Sequence, residues 1–217
     1  MVYIRSSVGN SFVDVKFRQN YENAKRNGLK IGFYHFVTAR NVEEAKEQAR
    51  FFSHVIRDTE PDCRLAIDFE ALRGLTRTEV NEIAKAFIET TEELTKKEMI
   101  VYSDAYNAQR VFDSYLAENY PLWIAEYGVE RPEVANWRDW TGWQYTDRGR
   151  VSGIIGNVDR DEFKEEVYLS DTSKIPTPDV KEEDSKKTVH YRVMPNDTID
   201  KIAKEYGFDK LKEIAKM

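Results

Sequence analysis

Between Val2 and about residue 170, short apolar runs of β type alternate with stretches whose apolar residues fall on one helical face. No other feature restricts the fold as strongly, because strands spaced by helices predict a parallel sheet. The β-type runs are residues 2–6, 30–37, 65–70, 99–102 and 121–127; beyond them Trp137, Trp140, Trp143 and Tyr145 crowd a short interval ending in residues 143–146, and residues 153–159 close the domain. Phe17, Tyr21 and Ala24 share a helical face that Asp14 caps and Asn27-Gly28 ends. Asn41 with Glu44 and Thr76 with Glu79 are capping-box patterns. The first opens a helix through Val42, Ala45, Ala49, Phe52 and Ile56, the second a helix through Val80, Ile83, Ala84, Phe87, Ile88 and Leu94. Ala105, Ala108, Val111, Phe112 and Tyr115 mark one further helix. The repetition favours a β/α barrel over an open doubly wound sheet. No glycine-rich phosphate loop follows a strand, so the nucleotide-binding version of such a fold lacks support.

The 33 basic and 39 acidic residues leave a formal charge of −6, which argues against nucleic acid as a partner. No apolar run approaches a bilayer span, so no membrane insertion is expected. The start, Met-Val-Tyr-Ile-Arg, lacks a signal-peptide pattern, and the chain is expected to be made in the cytoplasm. Cys63 is the single cysteine, which excludes an internal disulfide and a cysteine zinc site; it reads as a small hydrophobe beside the Leu65 strand. His35, His54 and His190 have no ligand spacing, and neither metal nor cofactor is expected.

Past residue 170 the composition changes to Ile-Pro-Thr-Pro and then Lys-Glu-Glu-Asp-Ser-Lys-Lys, a linker pattern. Val189 to Val193 reads as a strand. Asn196-Asp197-Thr198 can cap a helix carrying Ile199, Ile202 and Ala203 that Gly207 stops, and Leu211 and Ile214 lie on a short last helix. The expected division is a domain over 1–170, a linker over 171–188 and a small α+β tail over 189–217.

The chemistry concentrates in Leu65-Ala66-Ile67-Asp68-Phe69-Glu70. Strand side chains alternate, so Asp68 and Glu70 share a face with Cα atoms roughly 6–7 Å apart, while Phe69 faces away. Paired acids beside apolar residues suit glycosidic cleavage, in which one carboxyl gives a proton and the other stays ionised. A strand merely ending in solvated acids accounts for the hexapeptide equally well. In a β/α barrel, however, the strand ends converge. Tyr34, His35, Asp68, Glu70, Tyr102, Glu126 and the Trp143 segment would meet at one mouth, where tyrosine and tryptophan suit the apolar face of a sugar. Trp137 and Trp140 read as core.

In order along the chain, Tyr3-Ile4-Arg5, Asp14 to Phe17, Gly32-Phe33-Tyr34-His35-Phe36, Ala66-Ile67-Asp68-Phe69-Glu70 and Val101-Tyr102-Ser103 resemble family 25 of the glycoside hydrolases, the Chalaropsis-type lysozymes of bacteria and phages. Trp123-Ile124-Ala125-Glu126-Tyr127, Trp143-Gln144-Tyr145 and Gly156-Asn157-Val158-Asp159 continue the resemblance to about Tyr168. The tail resembles a partial LysM module, a binder of N-acetylglucosamine-containing glycans.

The resemblance implies a flattened, TIM-like β/α barrel that hydrolyses the β-1,4 bond between N-acetylmuramic acid and N-acetylglucosamine in bacterial peptidoglycan. It implies Glu70 as general acid, Asp68 as the partner carboxylate, Asp159 as a further acid of the cleft, and Tyr34, Tyr102 and Trp143 as substrate-binding residues; Glu126, at the same mouth, joins them. Desolvation is expected to keep Glu70 protonated while Asp68 stays charged. Members of the family open with a strand carrying Gly-x-Asp, whereas Val2 here corresponds to their second strand. The expectation is therefore a barrel without its first strand and a bare edge from Val2 to Ser6 that invites pairing. Such a chain would act on the cell wall after release or within a phage particle; the alternative is a catalytically impaired wall-binding or structural protein of the same fold.

Overall fold

The computed structural model describes residues 1–152 and 154–170; the linker and LysM-like expectations lie outside them. A single eight-stranded sheet has the order β2-β1-β3-β4-β5-β6-β7-β8. Its parallel centre comprises β1 (Val2–Val8), β3 (Ile31–Phe36), β4 (Leu65–Asp68), β5 (Met99–Asp104), β6 (Leu122–Ala125) and β7 (Gly142–Gly149). Antiparallel strands flank it, β2 (Phe12–Val13) on β1 and β8 (Val158–Phe163) on β7. The expected barrel is thus a curled, open sheet, since β2 and β8 end the ladder without pairing to each other.

The helices are α1 (Phe17–Arg26), α2 (Val42–Ile56), α3 (Arg77–Thr95), α4 (Ala105–Arg110) and α5 (Ser114–Asn119). The helix-start signals translate directly: the Asn41 side chain accepts from Glu44 N–H, and Thr76 with Glu79 forms a complete capping box. Asp14 is a correction. Lys16 holds the N-cap position without a side-chain cap, while Asp14 accepts from the Lys16 N–H and pairs with Arg5 at 3.0 Å, bracing the turn before α1. The stretch from Ala105 to Tyr115 is two helices, because Asp113 caps a fresh start at Leu116 N–H. Leu94, expected on the apolar face of α3, is exposed.

Two apolar layers follow from strand parity. On the helix side, Leu65, Ile67 and Phe69 pack with Phe33, Phe52, Val80, Phe87 and their neighbours into the main core. On the inner side, Ala66, Ile100 and Trp123 pack with Tyr3, Tyr34, Tyr102 and Phe163. The curl brings the two flanks together through these rings: Tyr3 of β1 lies 5.3 Å from Phe163 of β8 and 4.6 Å from Trp123 of β6, centroid to centroid. Glycine makes the room. A Cβ on Gly142 would meet the Phe163 ring at 2.5 Å and the Trp123 ring at 2.7 Å, and one on Gly32 would run into Tyr3.

Candidate active site

The inner face opens into a cavity of about 920 Å³. Alternation along β4 seats Ala66 and Asp68 on this face, and Glu70 follows them beyond the strand end. The backbone there is tied on both sides. Val37 N–H donates to the Asp68 carbonyl at 2.7 Å, Phe69 is buried in the main core, and Leu72 N–H donates to the Glu70 carbonyl at 2.8 Å. Arg40 then holds the loop by donating to the carbonyls of Ala71 and Arg73 at 3.1 and 2.7 Å. The two acids are therefore carried on constrained backbone.

Their environments differ. Asp68 is 8% exposed, its Oδ1 is sealed, and among the described residues no donor reaches that oxygen. Burial, helped by the negative charge of Glu70 and opposed by Arg5, pushes its carboxyl up to about 8. Glu70 is open to solvent. Its carboxyl is also raised, first by desolvation against the cavity wall and then by Asp104. The heavier desolvation falls on Asp68, the reverse of the expected division, and it favours the neutral form of that carboxyl. Carboxyls coupled in this way titrate as a pair.

Tyr34, Tyr102 and Asp159 line the same cavity, as expected from the sequence. Burial raises the Tyr34 phenol to about 12, and burial with the charges of Glu70 and Asp68 raises Tyr102 further. Asp159 is raised by desolvation and by Asp147. Trp143 and Glu126 are not brought to the cavity wall. Parity on β7 puts Gly142 and Gln144 on the inner face and turns Trp143 to the main core, where its indole donates to the Glu126 carbonyl at 2.8 Å. The Glu126 carboxylate accepts from Glu133 N–H at 2.7 Å and braces the following loop. Trp137 is core, its indole donating to the Tyr120 carbonyl, and Trp140 packs beside Trp143 under Lys164.

Tyr145, expected at the mouth with the Trp143 segment, lines the cavity, as do Gln144, which sequence reasoning did not single out, and Asp161, which it missed. Gln144 was findable, since it stands one residue from Trp143 and strand alternation sends neighbours to opposite faces. Tyr145 reaches the same wall although it alternates with Gln144, because a register irregularity between Gln144 and Thr146 breaks the alternation. Asp161 accepts from the Trp123 indole at 2.9 Å, and burial raises it to about 6. Acids on this wall, phenols and a buried amide together form a concave site for a neutral, polyhydroxylated ligand.

Residues 1–154 match the family described as Glycosyl hydrolases family 25. The autolytic lysozyme of Clostridium acetobutylicum is 34% identical over 173 residues, covering 79% of this chain and 51% of that protein. Among solved structures, the CTP1L endolysin superposes with a TM-score of 0.66 at 31% identity, covering 76% of this chain and 58% of that one. A family 25 glycosyl hydrolase from Bacillus anthracis gives a TM-score of 0.64 at 27% identity, over 74% and 76% of the two chains. The chain spans about half the length of the curated relatives it matches, 51% and 58% for the first two.

Proposed function

The chain belongs to glycosyl hydrolase family 25, and from that premise we propose that it is a glycosidase of the lysozyme type, cleaving the β-1,4 bond between N-acetylmuramic acid and N-acetylglucosamine in peptidoglycan. One observation carries the reading: Asp68 and Glu70, electrostatically coupled, face a single aromatic-walled cavity at the strand ends. A lysozyme and an endolysin among the relatives support the same substrate class.

The desolvation of Asp68 fits this chemistry once a sugar enters. Asp68 Oδ2, unlike the sealed Oδ1, is accessible, and among the described residues no protein group donates to it, so an N–H or O–H of the sugar entering the cavity supplies the missing stabilisation of the anion. The proton then rests on Glu70, the more exposed of the two carboxyls. Glu70 gives it to that oxygen as the C1–O bond breaks, and the bonding pair leaves with the oxygen. The Asp68 anion steadies the positive charge left on the ring, and water completes the hydrolysis with its proton returned to Glu70.

The tail over 189–217 is proposed to bind N-acetylglucosamine-containing glycan as a LysM-like module, and the protein to act on the bacterial wall after release or within a phage particle. β2 pairs with Ser7 and Val8, and Asp14 N–H donates to the Ser6 carbonyl at 2.9 Å, so among the described residues the outer edge from Val2 to Arg5 has no second strand. This supports pairing of that edge with another strand. The test of the central reading is Glu70→Gln, which removes the transferable proton and keeps the shape. Release of reducing ends from purified peptidoglycan falls by about 10²-fold or more. Wild-type rates in that variant would refute the assignment.

A further inference from the structure

Gln144 is one of the most buried polar side chains on the inner face, 5% exposed, and it lines the cavity that holds Asp68 and Glu70. Its Oε1 accepts two hydrogen bonds, from the Tyr102 phenol at 3.1 Å and from the Tyr127 phenol at 2.6 Å. The shorter separation is an O–H···O length, below the range of N–H···O bonds, and it fixes which end of the carboxamide faces the phenols. Both phenols are raised above their ordinary value by burial, so both remain protonated donors. The amide is thereby locked. Among the described residues its Nε2 has no hydrogen-bond acceptor, yet it is not among the sealed, unpartnered polar atoms, which are His35 Nε2 and Asp68 Oδ1. Its two N–H donors therefore open onto the cavity.

The rest of that wall is rich in acceptors: Asp68, Glu70, Asp159 and Asp161 all present carboxyl oxygens to the same space. A saccharide offers acceptor oxygens as well as hydroxyl donors, and a wall of carboxylates satisfies only the donors. Resting on the glycosidase reading above, we propose that Gln144 positions the substrate by donating from Nε2 to a carbonyl or hydroxyl oxygen of the sugar seated at Glu70. Tyr102 and Tyr127 act through it, by holding the amide in the one orientation that presents the donors.

The test is kinetic, on the full chain with soluble glycan strands released from peptidoglycan, and it uses two substitutions of opposite design. Gln144→Glu keeps an oxygen for both phenols and removes the donors; Gln144→Met keeps the length with neither donor nor acceptor. In both, KM rises about 10-fold while kcat stays within about threefold, the signature of a lost binding contact. Tyr127→Phe, at a half-exposed ring, releases one of the two constraints on the amide and raises KM about threefold. A wild-type KM in Gln144→Glu would mean that the residue only seats the phenols, and a fall in kcat at constant KM would place its effect elsewhere; either result overturns the proposal. Equilibrium binding of the same strands separates this inference from the one beneath it. A wild-type chain that binds the strands without cutting them refutes the glycosidase reading, and the Gln144 proposal then stands or falls on a 10-fold weaker Kd in Gln144→Glu.

Discussion

Asp68 meets two opposed demands. As an anion it would steady charge on the sugar, yet it sits almost out of solvent with a sealed oxygen and a carboxyl pushed up to about 8. The ordinary carboxylate value is near 4, so between about pH 4 and 8 the folded chain binds more protons than the unfolded one. Stability then falls as pH rises through that window. Asn has nearly the same shape and never ionises. Asp68→Asn is expected to match the wild type near pH 4 and to exceed it by about 1–3 kcal/mol at pH 8, while turnover drops by about 10²-fold. Thermal melts across pH, paired with reducing-end release, check both halves. A variant melting below the wild type at pH 8 would contradict the burial account.

Among the elements, β7 shows how strand parity assigns function. Gly142 and Gln144 face inward, and Gly142 is glycine because the Phe163 and Trp123 rings already fill the place of its Cβ. Neither ring is free to withdraw: Trp123 is hydrogen-bonded to Asp161, and both rings pack on Tyr3, whose phenol donates to the Arg64 carbonyl at 2.9 Å. Gly142→Ala is expected to lower stability by about 1–3 kcal/mol, read from the denaturation midpoint. It should also weaken glycan binding, because β7 carries Gln144. Much of the architecture was legible in residue patterns, since capping boxes and helical periodicity depend on neighbours a few positions apart. That is why α2 and α3 start where Asn41 and Thr76 announce them. What escaped depends on partners distant in sequence. β8 reads as a charged segment, Val-Asp-Arg-Asp-Glu-Phe, and becomes a strand only against β7. The division of burial between Asp68 and Glu70 likewise arises from the surrounding wall, which the local pattern Ile-Asp-Phe-Glu does not contain.

For the whole molecule, the response to pH is set by a second group lying across the sheet from the cavity. His35 is fully buried between the sheet and the helices, bonded through Nδ1 to Ser7 at 2.8 Å and packed against the rings of Phe52 and Phe87. Its Nε2 has no partner, and burial lowers its titration to about 4 against a smaller opposing pull from Gln48. An unfolded histidine titrates near 6.5, so between about 6.5 and 4 the unfolded chain takes the proton that the folded chain refuses. That penalty grows as pH falls and reaches about 3 kcal/mol near pH 4. Asp68 works in the reverse direction, losing stability as pH rises from about 4 to 8. Asp161, raised to about 6, adds to the Asp68 slope below that pH, so over the common range His35 offsets one of two acid slopes, and above about pH 6.5 the Asp68 slope remains. The wild-type melting temperature should therefore decline as pH rises from 4.5 to 6, level briefly to about 6.5 where only Asp68 and His35 oppose each other, and decline again toward pH 8. Substitution separates the contributions. In His35→Leu the absolute stability drops, because the Ser7 bond is lost, but the melting temperature should climb steadily from pH 8 down to 4.5. In Asp68→Asn it should stay close to level, because below about pH 6 the Asp161 and His35 slopes oppose each other. A His35→Leu curve parallel to that of the wild type would show that the buried ring does not govern the acid side, and that proton uptake there belongs to other groups.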